Sequence, residues 1–395
     1  MIRCEDIADD LYMDWQTFMG IGSDNDKTKV EELYCNTSAN EPATFIYTSG
    51  TTGPPKAVML SNKNLVWTAS QAIDMLKFTS DNTSLSYLPL SHIAEQMFTI
   101  HAPIITGWKV YFATGLLDVL DNLKEVKPSI LFGVPRIWEK FYAGLKEKLG
   151  EASGLKEKIV NFSLQAGEEH NADIFRGGSG GGWKYNVANK LLFSKVKNAL
   201  GLNNLKVGVT GAAPINADIL KLFASLDIMV VEVYGQSEGS GPTSFNRPWN
   251  NKPGSVGPAF PGTEVKIADD GEIMLKGSNV FLGYYKDQEE TDACLKDGWL
   301  YSGDVGKFDD EGFLYITGRK KEILVTSGGK NIAPIPIEQD IREIPAVAQA
   351  VMIGDNRHFC TALITLDVGY LLKEKMGVDI SNIKPTELPD RKSVV

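Results

Sequence analysis

The sequence predicts an α/β chain: a mostly parallel sheet covered by helices, then a β-rich region, then a further unit from about Gly318. Three observations predict it. From Thr44 onward, short apolar runs with strand character alternate with amphipathic helical runs, the rhythm of a parallel sheet under helices. Several of those strand-like runs end in loops of glycine and small or hydroxylated residues, and open parallel sheets bind ligands at such carboxyl ends. After Pro253 the strands shorten and are joined by tight turns at Asp269-Asp270-Gly271-Glu272, Asp297-Gly298 and Asp309-Asp310-Glu311-Gly312, a pattern of antiparallel structure.

Taken in order, residues 1–40 are acidic and mixed, with Trp15, Phe18 and Met19 as their apolar cluster, and read as a linker or the remnant of an N-terminal region. Phe45–Tyr47 and Ala57–Leu60 are strand-like. Ser61 can cap a helix to about Lys77, with Leu65, Ala69, Ala72, Ile73 and Leu76 on one face. Leu85–Leu88 reads as a strand, Ile93–Ile105 as a buried helix and Val110–Phe112 as a strand. Leu116–Val126 reads as a helix stopped by Pro128, and Ile130–Val134 as a strand. Arg136 to Leu200 is mostly helical and is broken at Gly177-Gly178-Ser179-Gly180-Gly181-Gly182, which reads as a flexible exposed loop. Leu205–Val209 and Ile228–Val233 are short β-branched strands. The expected division is 1–40, then an α/β core over 41–250, a β-rich subdomain over 251–318 and a last unit over 319–395.

Composition narrows the function. The net charge of −10 does not favour non-specific contact with nucleic acid, so no nucleic-acid partner is expected. Four cysteines (Cys4, Cys35, Cys294, Cys360) form no CxxC pair, which fits a reducing compartment. Four histidines (His92, His101, His170, His358) lack metal-ligand spacing. No apolar run reaches the roughly 18 residues of a membrane span. A cytoplasmic protein is expected, with peripheral contact with the endoplasmic reticulum or another membrane left open, and oligomeric state open as well.

The chemistry sits in a few stretches. Thr48-Ser49-Gly50-Thr51-Thr52-Gly53-Pro54-Pro55-Lys56 follows the strand-like Thr44–Tyr47. Its glycines permit close backbone approach, its hydroxyls and N–H groups offer donors to an anion, and Lys56 adds a positive charge, a composition suited to polyphosphate. It is not a Walker loop, because two residues separate Gly50 from Gly53 and Pro54-Pro55 blocks an immediate helix. Tyr234-Gly235-Gln236-Ser237-Glu238-Gly239 ends a buried strand with a carboxylate suited to magnesium, which prefers oxygen ligands. Val209-Thr210-Gly211-Ala212-Ala213-Pro214 leaves room for a flat ring or an acyl group. Trp299-Leu300-Tyr301-Ser302-Gly303-Asp304 ends in an acid able to accept from ribose hydroxyls. Gly318-Arg319-Lys320-Lys321-Glu322 is basic, with a solvated face as its plainer reading, and leads toward Ser327-Gly328-Gly329-Lys330-Asn331.

Together, and in this order, these stretches resemble the adenylate-forming superfamily of acyl-CoA synthetases, luciferases and peptide-synthetase adenylation domains. The resemblance covers roughly residues 40 to 370. Three stretches resemble long-chain fatty acyl-CoA synthetases of the bubblegum type: Tyr87-Leu88-Pro89-Leu90-Ser91-His92-Ile93-Ala94-Glu95-Gln96, Gly133-Val134-Pro135-Arg136-Ile137-Trp138-Glu139-Lys140, and Gly328 to Glu338. The resemblance implies an adenylate-forming fold: a large N-terminal domain of βαβ subdomains plus a small distorted β-barrel, followed by a small mobile α+β C-terminal domain, here incomplete. It also implies a two-step ligase reaction, in which a long-chain fatty acid and MgATP give an acyl-adenylate and pyrophosphate, and coenzyme A then displaces AMP.

By the same resemblance, Thr48 to Lys56 would hold the β- and γ-phosphates, and Thr51, Ser237 and Glu238 would serve the magnesium and α-phosphate side. Tyr234 would stack on adenine beside Gly211 and Ala212. Asp304 and Arg319 would hold the ribose, and Gly235, Gln236 and Gly239 complete the nucleotide set. His92 would lie near the reacting carboxylate. Lys321 matches the hinge of the C-terminal domain, and Gly328 and Gly329 would border the pantetheine channel.

Against the family pattern, 43 residues precede Thr44 where a long N-terminal region is usual, no Pro-x-x-x-x-Gly-Lys-type loop follows Asn331, and Ala57 stands where glycine is common. Lys384 and Lys392 lie in a polar tail that does not match. The expectation is a member shortened at both ends that adenylates poorly. A catalytically impaired nucleotide- or acyl-binding product and another kind of adenylate-forming enzyme are the alternatives.

Overall fold

The computed structural model describes residues 2–3, 13–48, 54–116, 118–342, 344 and 346–367. Its centre is a six-stranded sheet in the spatial order Gly241–Phe245, Val230–Gln236, Val207–Thr210, Ile130–Gly133, Thr83–Ser86, Lys109–Phe112. All neighbours run parallel except the first pair, which is antiparallel. Side chains alternate between the two faces of a strand. Ile130 and Phe132 accordingly join one core cluster with Leu65, Ala69 and Met97, while Leu131 joins another with Trp138, Leu145 and Phe223. Helices therefore cover both faces, and strands buried on both sides read as continuous apolar runs.

The helix Asn62–Leu76 starts as its sequence suggests. Ser61 Oγ accepts from the Asn64 N–H at 3.1 Å, and the Asn64 side chain reaches back to the Ser61 N–H at 2.9 Å. The Leu116–Val126 reading is shortened, because the helix runs Val119–Val126 and ends with Lys127 in the left-handed region before Pro128.

Three expectations are corrected. Phe45–Tyr47 and Ala57–Leu60 do not enter the parallel sheet. Pro42–Thr48 and Lys56–Ser61 pair antiparallel, and Gly283–Tyr284 pairs with the outer side of Lys56–Ser61. The 49–55 connection is too short for the crossover that a parallel pair requires.

The buried helix at 93–106 is not uniform. Ile93–Gln96 and Ala102–Thr106 flank a π-helical turn at Met97–His101, where the Ala102 N–H bonds the Met97 carbonyl. Pro103 cannot donate to the preceding turn, so the helix widens there.

The glycine run at 177–182 is tied down rather than loose. The Gly180 N–H donates to Asp173 Oδ2 at 2.8 Å and the Gly181 N–H to His170 Nδ1 at 2.6 Å.

The β-rich region forms a five-stranded antiparallel sheet from Glu264–Ile267, Glu272–Lys276, Leu295–Lys296, Trp299–Phe308 and Leu314–Arg319. Beyond the 3-10 turn Lys320–Glu322 come a hairpin of Leu324–Val325 with Asn331–Ile332, the helix Pro334–Arg342, and a hairpin of Val347–Ile353 with Thr361–Leu366. Glu338 Oε1 accepts from the Met352 N–H at 2.6 Å and fastens the helix to the second hairpin. Among the described residues, no helix is long and apolar enough to cross a membrane.

Candidate functional site

A cleft of about 420 Å³ opens where the main sheet, the hairpin at 42–61 and the antiparallel sheet meet. One half is polar and includes Thr48, Lys56, Ser237, Glu238, Asp304 and Arg319. The other is apolar and includes Ala72, Met97, Phe98, Trp108, Phe132 and Phe245. His92 lines the same cleft.

The strand Val230–Gln236 delivers the central acid. Its neighbour Gly241–Phe245 comes so close that a Cβ on Gly235 would lie 1.6 Å from the Gly241 carbonyl oxygen. Only glycine fits there. The chain then makes a 3-10 turn at Ser237–Gly239 and reverses at Ser240, whose φ is 55°. This presents Ser237 and Glu238 to the cleft while Gly239 is buried behind them. Glu238 Oε1 accepts from the Tyr284 hydroxyl at 2.8 Å. The Tyr284 ring also faces Lys56, whose Nζ lies 5.3 Å from the ring centroid and is ion-paired with Glu290. Hydrogen bonding from Lys56 holds the Glu290 carboxyl below its ordinary range.

Asp304 sits on Trp299–Phe308, directly opposite Arg319 of Leu314–Arg319. Its Oδ1 lies 3.2 Å from Arg319 Nε, and its Oδ2 accepts from the Tyr234 hydroxyl at 2.7 Å. Burial raises the Asp304 pKa, opposed by the Tyr234 hydroxyl and the Arg319 guanidinium. Burial next to this carboxylate pushes the Tyr234 phenol well above its usual value.

His92 is the N-cap of Ile93–Gln96, and its Nδ1 accepts from the Ala94 N–H at 3.2 Å. That bond leaves Nε2 as the protonated nitrogen of a neutral ring. Burial holds His92 below the usual imidazole range, against the opposing pull of Glu95. Glu95 is itself buried and accepts from Ser86 Oγ at 2.6 Å and Thr99 Oγ1 at 2.8 Å. The His92 ring is 6.2 Å from that of Phe132, which stacks with Phe98 at 5.7 Å. The imidazole thus adjoins aromatic rings of the apolar half.

The cleft gathers most of the candidates read from the sequence. Thr48, Lys56, His92, Ala212, Gly235, Gln236, Ser237, Glu238, Asp304, Arg319 and Lys321 all line it. Ala212 has a φ of 68°, and a Cβ on Gly211 would meet Val233 Cγ1 at 2.6 Å, so this turn packs tightly against the next strand. Gly211, Tyr234 and Gly239 are not among the lining residues, and Tyr234, expected to stack on adenine, is tied through its hydroxyl to Asp304 instead. Pro54 and Pro55 are exposed and are not among the lining residues. Ser49, Gly50, Thr51, Thr52 and Gly53 lie outside the described residues. Tyr284 and Glu290 were not singled out by sequence, since no local motif marks them; they reach Lys56 through the pairing of Gly283–Tyr284 with Val58 and Met59.

Among the described residues, no cluster of three or more His, Cys, Asp or Glu side chains could hold a metal. The donor set is one carboxylate, Glu238, which suits a magnesium ion carried mainly by substrate phosphates and water.

Residues 8–285 match the AMP-binding enzyme family, and residues 321–379 match the AMP-binding enzyme C-terminal domain. The chain is 41% identical over 368 residues to a long-chain-fatty-acid–CoA ligase of Xenopus laevis, an alignment covering 89% of this chain and 50% of that one. It is 40% identical over 363 residues to a human long-chain-fatty-acid–CoA ligase, covering 89% of this chain and 54% of that one. The chain therefore spans about half the length of these curated relatives. Among solved structures, o-succinylbenzoate coenzyme A synthetase from Bacillus subtilis in complex with ATP and magnesium superposes with a TM-score of 0.65 at 24% identity, covering 90% of this chain and 66% of that one. An ATP-bound RpMatB–BxBclM chimera gives a TM-score of 0.63 at 26% identity, covering 84% and 59%.

Proposed function

The chain belongs to the AMP-binding enzyme family and has its adenylate-forming fold, and from that premise we propose that it carries the nucleotide and acyl sites of a long-chain fatty acid–CoA ligase. One observation carries this reading: a single cleft joins a polar half suited to MgATP to an apolar half suited to a hydrocarbon tail, with His92 among its lining residues. The curated relatives' names supply the substrate class.

In this reading the carboxylate attacks the α-phosphorus of ATP, and the bond to the pyrophosphate oxygen breaks. The thiolate of coenzyme A then attacks the acyl carbon, and the bond to AMP breaks. No side chain forms a covalent bond; the residues position groups and stabilise charge. Lys56 offers its ammonium to the β- and γ-phosphates once it leaves Glu290. Asp304 accepts from the ribose hydroxyls, steadied by Arg319 and Tyr234. Ser237 and Glu238 face the α-phosphate, where magnesium, when bound, supplies compensating positive charge. Neutral His92 donates from Nε2 to a carboxylate oxygen and orients it. The apolar half excludes water from the mixed anhydride, and the segment following Lys321 swings between the two steps, bringing Gly328 and Gly329 to the pantetheine arm.

The test is pyrophosphate release by the purified chain with MgATP and palmitate, with and without coenzyme A. Release with palmitoyl-CoA formation supports the ligase reading. Saturable ATP binding without release, lost in a Lys56→Ala, Glu238→Ala double variant, identifies a nucleotide site without turnover. Neither release nor binding overturns it for this chain.

A further inference from the structure

Lys56, a cation of the polar half, is held by an acid of its own chain. It lines the cleft and is ion-paired with Glu290, which is not among the lining residues. The Lys56 side chain is 22% exposed and that of Glu290 46% exposed, so solvent reaches both ends of the pair. The backbone fixes this meeting. Lys56 begins the strand Lys56–Ser61, whose Val58 and Met59 pair with Tyr284 and Gly283. The Tyr285 N–H donates to the Ala57 carbonyl at 2.9 Å, one residue from Lys56. The Tyr284 N–H donates to Thr291 Oγ1 at 2.8 Å, and Thr291 follows Glu290 on the helix Gln288–Cys294. Asp287 caps that helix, its Oδ1 accepting from the Glu290 N–H at 3.2 Å. Hydrogen bonds thus set the Glu290 backbone beside the strand of Lys56, and side-chain rotation alone opens and closes the pair. Hydrogen bonding from Lys56 keeps the Glu290 carboxyl below its ordinary range, so it is fully ionised at neutral pH.

We propose that Glu290 is a built-in competitor of the nucleotide's β- and γ-phosphates: it gives up the Lys56 ammonium when a polyphosphate binds and retakes it when the polyphosphate leaves. The inference rests on the nucleotide reading above and adds a residue that regulates that site. ATP must open the Lys56–Glu290 pair to use the lysine, so its apparent affinity falls by the fraction of molecules in which the pair is closed. The displaced carboxylate then stands as a like charge near the polyphosphate, which weakens binding further. AMP brings no β- or γ-phosphate and leaves the pair closed, so its affinity does not depend on Glu290. Glu290 touches no reacting atom and acts through Lys56, as a positioning residue.

The test is calorimetric titration of the full chain and of Glu290→Gln with ATP and with AMP, in the presence of magnesium. Glu290→Gln keeps the side chain's size and removes its charge. It is expected to bind ATP roughly two- to tenfold tighter, the range within which a partly exposed ion pair and a neighbouring like charge act. AMP affinity is expected to be unchanged, and AMP binding shows that the variant is folded. In a Lys56→Met background the same substitution is expected to leave ATP affinity unaltered. ATP bound no tighter by Glu290→Gln, an equal gain for AMP, or a gain that persists in the Lys56→Met background overturns the proposal. Binding of ATP by neither protein overturns the nucleotide reading and this proposal with it, and a cooperative thermal transition in the same preparation shows that the chain is folded.

Discussion

The Tyr284 hydroxyl donates to Glu238 Oε1 at 2.8 Å while the same ring faces Lys56 at 5.3 Å. One side chain thus spaces the acid and the base that flank the polar half of the cleft. Glu238→Gln keeps the acceptor for Tyr284 but removes the charge. Pyrophosphate release is expected to fall on the order of 100-fold or more, the usual consequence of losing a charge-stabilising group. Tyr284→Phe keeps both charges and is expected to cost less than tenfold. Steady-state rates with MgATP and palmitate check both. Equal rates in Glu238→Gln and the unaltered chain would remove Glu238 from the nucleotide site.

Asp304 offers one carboxylate oxygen to Tyr234 and the other to Arg319, and in the proposed reading the same carboxylate accepts from the ribose hydroxyls. Asp304→Asn keeps an acceptor for Tyr234 but weakens the pull on Arg319 and on two ribose hydroxyls. The KM for ATP is expected to rise about tenfold, and the preference for ATP over 2′-deoxyATP to shrink. A KM unchanged for both nucleotides would place the ribose elsewhere.

How much of this was legible in the sequence depended on whether the signal was local. Lys56 and Glu238 stand in or beside small-residue loops at strand ends, and that pattern survives without knowledge of the fold; Asp304, read the same way after Ser302-Gly303, lies instead within the strand Trp299–Phe308. The run at Ile130–Gly133 announced a strand covered on both faces because every side chain is apolar or small. Strand direction is not written in such runs, so Phe45–Tyr47 and Ala57–Leu60 were misassigned to the parallel sheet; the length of the connection was the better guide. The reading of Ile93–Ile105 as one buried helix passed over Pro103, and so missed the π turn at Met97–His101 that absorbs it and places Met97 and Phe98 in the cleft lining. Tyr284 and Glu290 were invisible because strand pairing across more than two hundred residues brings them to Lys56.

Gly235 tests whether close strand approach shapes the site. In Gly235→Ala the new methyl would sit 1.6 Å from the Gly241 carbonyl oxygen, a backbone atom that cannot rotate away. The strands must part, and the stability loss is expected to be about 3 kcal/mol or more. Chemical denaturation would show a lower midpoint, and nucleotide binding should fall in the fraction that stays folded. A midpoint matching the unaltered chain would mean that the two strands are not packed as described.

Glu232 gives the pH prediction. It lies on the strand Val230–Gln236 that leads into the Glu238 turn, is 8% exposed, and accepts from the Gly254 N–H at 2.8 Å. Burial raises its pKa to about 8, against 4.5 for an ordinary glutamate, with the Gly254 bond opposing. The protonated form therefore belongs to the folded state. Between pH 4.5 and 8 the unfolded chain releases this proton while the folded chain keeps it, so the folded state binds more protons and stability falls as pH rises. The contribution is fully present below the lower value and lost through the upper one. Glu232→Gln keeps an acceptor for Gly254 without the titration. It is expected to be more stable than the unaltered chain by on the order of 3 kcal/mol at pH 8, with the difference shrinking toward pH 5. Thermal unfolding of both proteins across that range checks it. Parallel curves, with a constant offset at every pH, would show that Glu232 is ionised in the folded chain and that its burial does not govern its proton.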